Sequence, residues 1–418
     1  MFNRISVVGL GYIGLPTAAV IANTGIKVIG VDVNQTAVDT INQGKIHIIE
    51  PGLELLVKDV VGEGNLLATL SPLPADAFLI AVPTPFKGDH EPDLSYIHSA
   101  IKSIAPVLVR SNLIILESTS PVGTTEKVAR WIAELRPDLS VSGVSDLKKP
   151  DILVSYCPER VLPGQVIEEL RQNDRIIGGL DAVSTARAIE LYKTFVDGDC
   201  IATSAKTAEM TKLTENASRD VQIAFANELS LICDKQGIDV WELISLANRH
   251  PRVNILQPGC GVGGHCIAVD PWFIINKNPK ESRLITSARE INNHKPRWVV
   301  QKVQETISDL ISSGYTQSDL NIAIMGLAFK PDIDDLRESP AVEITRKIAS
   351  DIEAKVLVVE PNINQLPKEL DGIELFDFDS ALDKAQIVLM LVAHSEFKEK
   401  VIDREKIRLI DIAGVYKE

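Results

Sequence analysis

Cysteine is scarce in this chain: Cys157, Cys200, Cys233, Cys260 and Cys266 are the only five among 418 residues. The number is odd, no CxxC pair occurs and no Cys/His spacing suits zinc, so neither a disulfide framework nor a bound metal is expected. Basic residues are also short, with 43 Lys and Arg against 57 Asp and Glu and a net charge of −14. Such a surface repels a phosphate backbone, and nucleic acid is not an expected partner. Long apolar runs are missing as well. The most apolar stretch near the start, VVGLGYIGLPTAAVIA, is interrupted by glycine and shorter than the ~20 residues of a spanning helix. Met1 leads almost directly into a strand-like run, without the basic segment, apolar core and cleavage site of a secretory signal. The expectation is a reducing, cytoplasmic setting.

What is present has globular proportions: 45% hydrophobic and 24% charged residues, with 25 Gly and 22 Pro and no low-complexity bias. At roughly 150 residues per domain, the length suits two to three domains. Over the first half, the β-branched runs RISVVGL, KVIGVDV, AFLIAVPTP, NLIILEST and DILVSYCPE alternate with amphipathic stretches. That alternation predicts a parallel sheet with helical crossovers. A long helix is expected from about Ser204 to Gln236, stopped by Gly237, and another over Val240 to Asn248. Beyond His294 the pattern is helical to about Ser312, and strands return at NIAIMGL, KVLVVE, IVLML and RLIDI. The expected layout is α/β over 1–200, a helical connector with one long helix over 201–300, and a second α/β domain over 301–418.

Gly9, Gly11 and Gly14 form GLGYIG directly after the first strand, and Asp32 ends the second strand. Gly9 permits a tight turn, Gly11 lets the backbone approach a pyrophosphate, and Gly14 lets the following helix pack on the sheet. Asp32 suits the ribose hydroxyls of NAD and repels the 2′-phosphate of NADP. AVPTPF and ESTSPVGTT follow later strands, where ligands meet an open parallel sheet. Thr84, Thr119 and Thr125 are therefore either ligand contacts or ordinary turn and capping residues.

Lys212, Asn216 and Arg219 recur at i, i+4 and i+7 and share one helix face. They form either a convergent site or a solvated stripe in which Glu215 pairs with Arg219. Cys266 lies in QPGCGVGGHCIAVDP, a glycine-dense segment able to approach a ligand or cradle an anion. Cys200 and Cys233 suit buried, inert thiols. Cys260 rivals Cys266 in the same loop, but the neighbouring His265 and Asp270 favour Cys266, with His265 as either a base or a structural residue. In AFKPDIDDLRESPA, Lys330 and Arg337 either hold phosphate or neutralise Asp332, Asp334 and Asp335.

Taken together, GLGYIGLP, AVPTPFKGDHEPD, ESTSPVGTT, YCPERVLPG, KLTENASRDVQIAFANELS, NRHPRVNILQPG, GVGGHCIAVDPWF and GLAFKPDIDDLRESPA carry a resemblance. Over essentially its whole length the chain resembles the nucleotide-sugar 6-dehydrogenase family of UDP-glucose dehydrogenase. Within that family it is most similar to the bacterial branch acting on UDP-N-acetyl-D-mannosamine.

The resemblance implies an N-terminal Rossmann-like NAD domain, a central dimerisation domain and a C-terminal Rossmann-like UDP-sugar domain. It also implies four-electron oxidation of a sugar C6 alcohol to a carboxylate with two NAD, supplying polysaccharide assembly. Cys266 matches the nucleophile that forms a thiohemiacetal and then a thioester. Lys212 and Asn216 match the groups holding the oxyanion, supported by Asp270, with Lys212 also moving a proton. Glu159 matches the residue that activates water, and Thr119 lies near the reacting centre. Arg160, Val161, Arg219 and His250 match UDP-sugar contacts, as do Arg252, Gly263, Phe329 and Lys330. Tyr12, Ile13, Asp32, Thr84, Thr125 and Arg337 match NAD contacts. A homodimer is implied, with Arg252 reaching the neighbouring subunit's site.

Two departures stand out. UDP-glucose dehydrogenases carry a second Glu where this chain has Pro163, which points away from glucose and toward an N-acetylhexosamine. Ala413 stands where relatives have Lys. The alternatives are the same reaction on UDP-N-acetylglucosamine, a two-electron hydroxyacid dehydrogenase of the 6-phosphogluconate type, and a non-catalytic nucleotide-sugar sensor.

Overall fold

The computed structural model describes residues 2–88, 90–145, 147–162, 164–264 and 266–416 of the chain. The chain divides into two compact units: Met1–Glu215 with Trp272–Lys277, and Asn216–Pro271 with Asn278–Glu418.

The strands of the first unit are β1 (Arg4–Val8), β2 (Lys27–Val31), β3 (Leu66–Thr69), β4 (Ala77–Ile80), β5 (Phe86–Lys87), β6 (Glu91–Pro92), β7 (Asn112–Leu116), β8 (Ile152–Tyr156), β9 (Arg175–Gly179) and β10 (Cys200–Ser204). β5 and β6 pair as a small antiparallel hairpin; the other eight form one sheet in the order β10-β9-β8-β7-β4-β1-β2-β3. Every residue of β4, β7 and β8 is buried. This is the signature of parallel strands covered on both faces. Successive side chains point to opposite faces, so Leu79, Leu113 and Ile115 enter one core while Phe78, Ile80, Ile114 and Leu116 enter the other. β1 pairs with β2 on one side and β4 on the other. The loops after β1 and β4 therefore flank a topological switch point, where such sheets bind ligands.

The five expected strands of this half are present, and β3, β9 and β10 join them. β3 has only four residues, and β10 is largely exposed, so neither carries a clear hydrophobic signal. β9 runs antiparallel to β8, with Gly178 opposite Tyr156 and Gly179 opposite Ser155. Its first residue, Arg175, consequently lies past the carboxyl end of β8.

The helix Ala205–Gln236 matches its expected span, and Gly237 follows it at φ +66°. Asp239 caps the next helix, Val240–Ala247, by accepting from the backbone N–H groups of Trp241 and Glu242. The sequence pattern places the start of the next long helix after His294, but it begins at Arg283 and runs to Ser312 with Pro296 inside. Proline removes one backbone donor, and the buried side chains of Asn292, Lys295, Val299 and Val300 hold the helix across it.

The second unit carries β11 (Asn321–Met325), β12 (Lys355–Val359), β13 (Glu374–Leu375), β14 (Ile387–Met390) and β15 (Arg408–Asp411). They form a parallel sheet in the order β13-β12-β11-β14-β15. Ile322, Ile324 and Leu389 face one core, and Ala323, Met325 and Met390 the other. Ala413 lies half-buried against the second of these cores. Both units thus have the α/β layering expected from the strand pattern.

Candidate active site

The turn after β1 is built by its glycines in three different ways. Gly9 has φ +93°, and a Cβ there would lie 2.6 Å from the Ala81 carbonyl oxygen. At Gly14 a Cβ would lie 1.7 Å from the Gly9 oxygen, while at Gly11 it would meet nothing within 4 Å. Asp32 pins the turn through both oxygens, Oδ2 accepting from Leu10 N at 2.8 Å and Oδ1 from Asn34 N at 2.9 Å. The helix Gly14–Ala22 starts without a side-chain cap at Ile13; Leu15 N donates to the Gly11 oxygen and Pro16 has no N–H, so the helix end meets an anion mainly through its dipole. Tyr12 is exposed and Ile13 half-buried beside this end. An open backbone approach, an uncapped helix start and a strand-end carboxylate together fit a dinucleotide with a free ribose 2′-hydroxyl.

The loops after β4 and β7 are tied together by Thr84, whose hydroxyl donates to the Thr119 carbonyl oxygen at 2.5 Å. Thr119 is half-buried. Thr125 is fully buried, and its hydroxyl and backbone N–H both donate to Glu209 Oε1, at 2.7 and 2.8 Å. Glu209 Oε2 accepts from Gly123 N at 2.6 Å, and burial raises this carboxyl above the ordinary glutamate range. The Thr125 hydroxyl proton goes to Glu209, and the residue anchors the loop.

Beyond β8, Glu159 is buried and accepts from Arg175 Nη1 at 2.8 Å and from Arg160 N at 2.7 Å. Arg175 also donates to the Leu170 carbonyl oxygen, and Tyr192 donates to Glu117 Oε1 at 2.5 Å. Arg160 grips Glu215 in a bidentate pair, Nη2 to Oε1 at 2.7 Å and Nε to Oε2 at 3.1 Å. That geometry corrects the Glu215–Arg219 pairing considered from the sequence, because the planar guanidinium fork takes both carboxylate oxygens. Val161 and Lys212 are half-buried.

In the second unit, Asn216 Nδ2 donates to Asp270 Oδ2 at 2.5 Å. Asp270 is buried and opens the helix Asp270–Lys277. The Cys266 carbonyl oxygen accepts from Val269 N and Asp270 N, at 3.0 and 2.8 Å, which sets Cys266 one turn ahead of that helix. Cys266 is half-buried, whereas Cys260 is buried and its thiol is pushed up to about 12. Burial pushes Cys157 higher still. A thiol that stays protonated is a poor nucleophile, so Cys266 is the better-placed of the two loop thiols. Cys233 is buried as expected, but Cys200 is only partly so, because exposed β10 carries it.

Gly263 and Gly264 pack closely against the chain around Phe329. A Cβ at Gly263 would lie 2.6 Å from the Glu338 oxygen and 2.8 Å from Phe329 Cβ, and Gly264 N donates to the Arg337 oxygen. The two glycines are required for close packing against Phe329 and Glu338. Arg337 pairs with Asp335, Nη2 to Oδ2 at 2.6 Å, and Asp332 accepts from the Ser395 N–H and hydroxyl at 2.7 Å each. Lys330, Arg219, His250 and Arg252 are exposed, and Arg252 N donates to His250 Nδ1 at 3.3 Å. His265 and Pro163 lie outside the described residues. Among the described residues, no group of three or more His, Cys, Asp or Glu is placed to hold a metal.

Glu117, Arg175, Tyr192 and Glu209 are absent from the sequence reading. The only local signal was their polar character within otherwise apolar strand and helix surroundings.

Residues 3–196 match the NAD binding domain of the UDP-glucose/GDP-mannose dehydrogenase family, 206–294 its central domain and 323–418 its UDP binding domain. The sequence is 60% identical to UDP-N-acetyl-D-mannosamine dehydrogenase from Escherichia coli (strain K12) over the full length of both chains. It is 61% identical to UDP-N-acetyl-D-mannosamine dehydrogenase from Campylobacter jejuni, covering 96% of this chain and 98% of that one. The solved UDP-D-ManNAc dehydrogenase from Pyrococcus horikoshii matches with a TM-score of 0.89 at 37% identity, covering 99% of this chain and 96% of that one.

Proposed function

The chain belongs to the UDP-glucose/GDP-mannose dehydrogenase family, and on that premise we propose that it oxidises UDP-N-acetyl-D-mannosamine at C6 to UDP-N-acetyl-D-mannosaminuronic acid. Its cofactor is NAD, which when bound takes one hydride from C6 in each of two oxidations. Gly9, Gly11, Gly14 and Asp32 are the residues that would hold it.

In the first oxidation Lys212 takes the C6 hydroxyl proton, and Lys212 and Asn216 stabilise the charge on the oxygen. Asp270 fixes the Asn216 amide for this task. An aldehyde cannot lose a second hydride directly. The Cys266 sulfur therefore bonds to the carbonyl carbon, and the carbonyl electron pair moves to the oxygen held by Lys212 and Asn216. Loss of the second hydride leaves a thioester. Water attacks that carbon, Glu159 takes one water proton, and the carbon–sulfur bond breaks to return the thiolate; the acid so formed gives its remaining proton to solvent and leaves as the carboxylate.

What supports this assignment is one connected arrangement: Cys266 precedes a helix whose first residue, Asp270, holds Asn216 at 2.5 Å. Three residues with complementary roles are thus linked in one unit. The N-acetylhexosamine choice rests on the curated relatives and on Pro163 in place of a second glutamate. We assign the working form as a cytoplasmic homodimer with Arg252 entering the partner's site; its exposure suits that role. Among the described residues, no helix is long and apolar enough to cross a membrane.

The test is NADH released per sugar, followed with UDP-N-acetyl-D-mannosamine and UDP-N-acetylglucosamine in parallel. The expected ratio is two NADH per manno sugar, with the gluco epimer slower. A ratio of one, or faster turnover of the gluco epimer, overturns the proposal. Cys266→Ser should form no acid; full acid formation by that variant removes the thiol from the mechanism.

A further inference from the structure

We propose that Glu117 is a positioning residue for thioester hydrolysis, acting on Glu159 through the buried Arg175 so that its own ionisation governs how strongly Glu159 takes the water proton. This rests on the assignment of Glu159 as the base that activates water.

The sheet brings the three groups together. β7 and β8 pair with Leu116 opposite Tyr156, so Glu117 and Cys157 leave the sheet side by side. β9 is reversed, and this carries Arg175 to the same edge, where it meets Glu159 at 2.8 Å. Arg175 is 1% exposed, Glu117 3% and Glu159 7%. One buried cation therefore lies beside two buried carboxylates: it is ion-paired with Glu159 and acts on Glu117 through its charge alone. Burial disfavours an uncompensated second negative charge, so the pair retains one proton.

Hydrogen bonding decides which acid carries it. Glu159 has the guanidinium and the Arg160 N–H. Glu117 has the Tyr192 hydroxyl, while its Oε2 and Arg175 Nε have no hydrogen-bond partner among the described residues. Below about 7 the proton resides on Glu117.

The titratable and charged groups facing Glu117 are Glu159 and Cys157 from the segment after β8, Arg175 from β9, and Tyr192 from the helix Ala182–Tyr192. Burial first, and the charge of Glu159 second, push the Glu117 carboxyl up to about 7. Burial also keeps Cys157 a thiol and Tyr192 a phenol. Among Glu117, Cys157, Tyr192 and Arg175, only Glu117 changes charge near neutrality.

The sign follows. Below about 7, Glu117 is neutral, and the Arg175 guanidinium faces the charge of Glu159 alone. Above it, ionised Glu117 draws on the field of the same guanidinium and repels the charge of Glu159, which favours transfer of the water proton. Glu117 exchanges its own proton with solvent and takes no part in the transfer, in which the water proton passes to Glu159 and then to solvent.

The experiment is rapid-quench single turnover with NAD and UDP-N-acetyl-D-mannosamine between about pH 6 and about pH 9, with the Cys266 thioester followed by intact mass. Wild-type thioester decay should rise ~10-fold through neutrality. Glu117→Gln should hold the slow rate at every pH, with NADH formation unchanged. Glu117→Asp should restore the rise. Tyr192→Phe should move the rise to higher pH, because the ionised carboxylate loses its donor, and this variant decides the matter if the Gln variant does not fold. A wild-type pH profile in Glu117→Gln, or an unmoved one in Tyr192→Phe, overturns the inference. Glu159→Gln separates the two levels. If it lengthens thioester lifetime while Glu117→Gln does not, this inference alone fails; if it too changes nothing, the base assignment fails.

Discussion

Asp32 and Glu360 occupy the same place in two separate sheets. Asp32 follows β2 and accepts from Leu10 N at 2.8 Å, just after Gly9 at φ +93°; Glu360 follows β12 and accepts from Leu327 N at 2.7 Å, just after Gly326 at φ +92°. Each also accepts from the N–H two residues on, Asn34 and Asn362. The difference lies in what else the carboxylate meets. Glu360 is buried, and His394 Nε2 donates to it at 3.0 Å. Because His394 Nδ1 accepts from Asp332 N, the ring proton is on Nε2. A carboxylate sealed by a histidine is not offered to a ribose, whereas half-buried Asp32 is.

Asp32→Asn is expected to lower the preference for NAD over NADP by ~10-fold or more, because it removes the charge that repels a 2′-phosphate while keeping the side-chain shape. Comparing kcat/KM for the two cofactors checks this. An unchanged preference would mean that another residue sets the selection.

Glu360 should show itself in acid stability instead. Burial works against its charge, yet the bond from His394 and the backbone N–H groups lower the carboxyl from the ordinary 4.5 to about 2. A depressed folded-state value stabilises fully above the unfolded value and is lost as pH falls from 4.5 toward 2. The linkage amounts to at most on the order of 3 kcal/mol. Glu360→Gln should flatten the fall in urea midpoint over that interval; a fall as steep as in the wild type would count against the assignment.

Iodoacetamide near about pH 8 should modify Cys266 well before the other loop thiol, with Cys260 and Cys157 slower by ~100-fold or more. Burial keeps both of the latter protonated. Peptide mass mapping over time provides the check, and earlier modification of Cys260 would reverse the ranking.

The legible parts of the fold were those with local punctuation. Gly9 and Asp32 bracket β1 and β2, and Gly237 marks the end of a 32-residue helix. Strands that depend on distant partners were not legible. β9 gains its place only by pairing backwards with β8, and nothing local announces that direction. A proline usually opens a helix, so nothing local shows that one helix runs from Arg283 through Pro296; only tertiary packing does. In the candidate site, Asp270 was named, but its hold on Asn216 joins residues far apart in the chain. Glu117 was harder still: ESTSPVGTT reads as a turn after a strand, and the acid acquires meaning only from Arg175 and Tyr192, which arrive much later. The ion pair between Arg160 and Glu215 was likewise invisible, because Glu215 has an equally good cation within its own helix.

The three glycines of the first turn answer to different masters. Positions 9 and 14 are enforced by the chain itself, since a methyl group at either would collide with backbone. Position 11 is enforced by nothing inside the protein. A descendant that abandoned its dinucleotide would keep the first and third glycines and let the middle one drift, so that one position records whether the cleft is still in use.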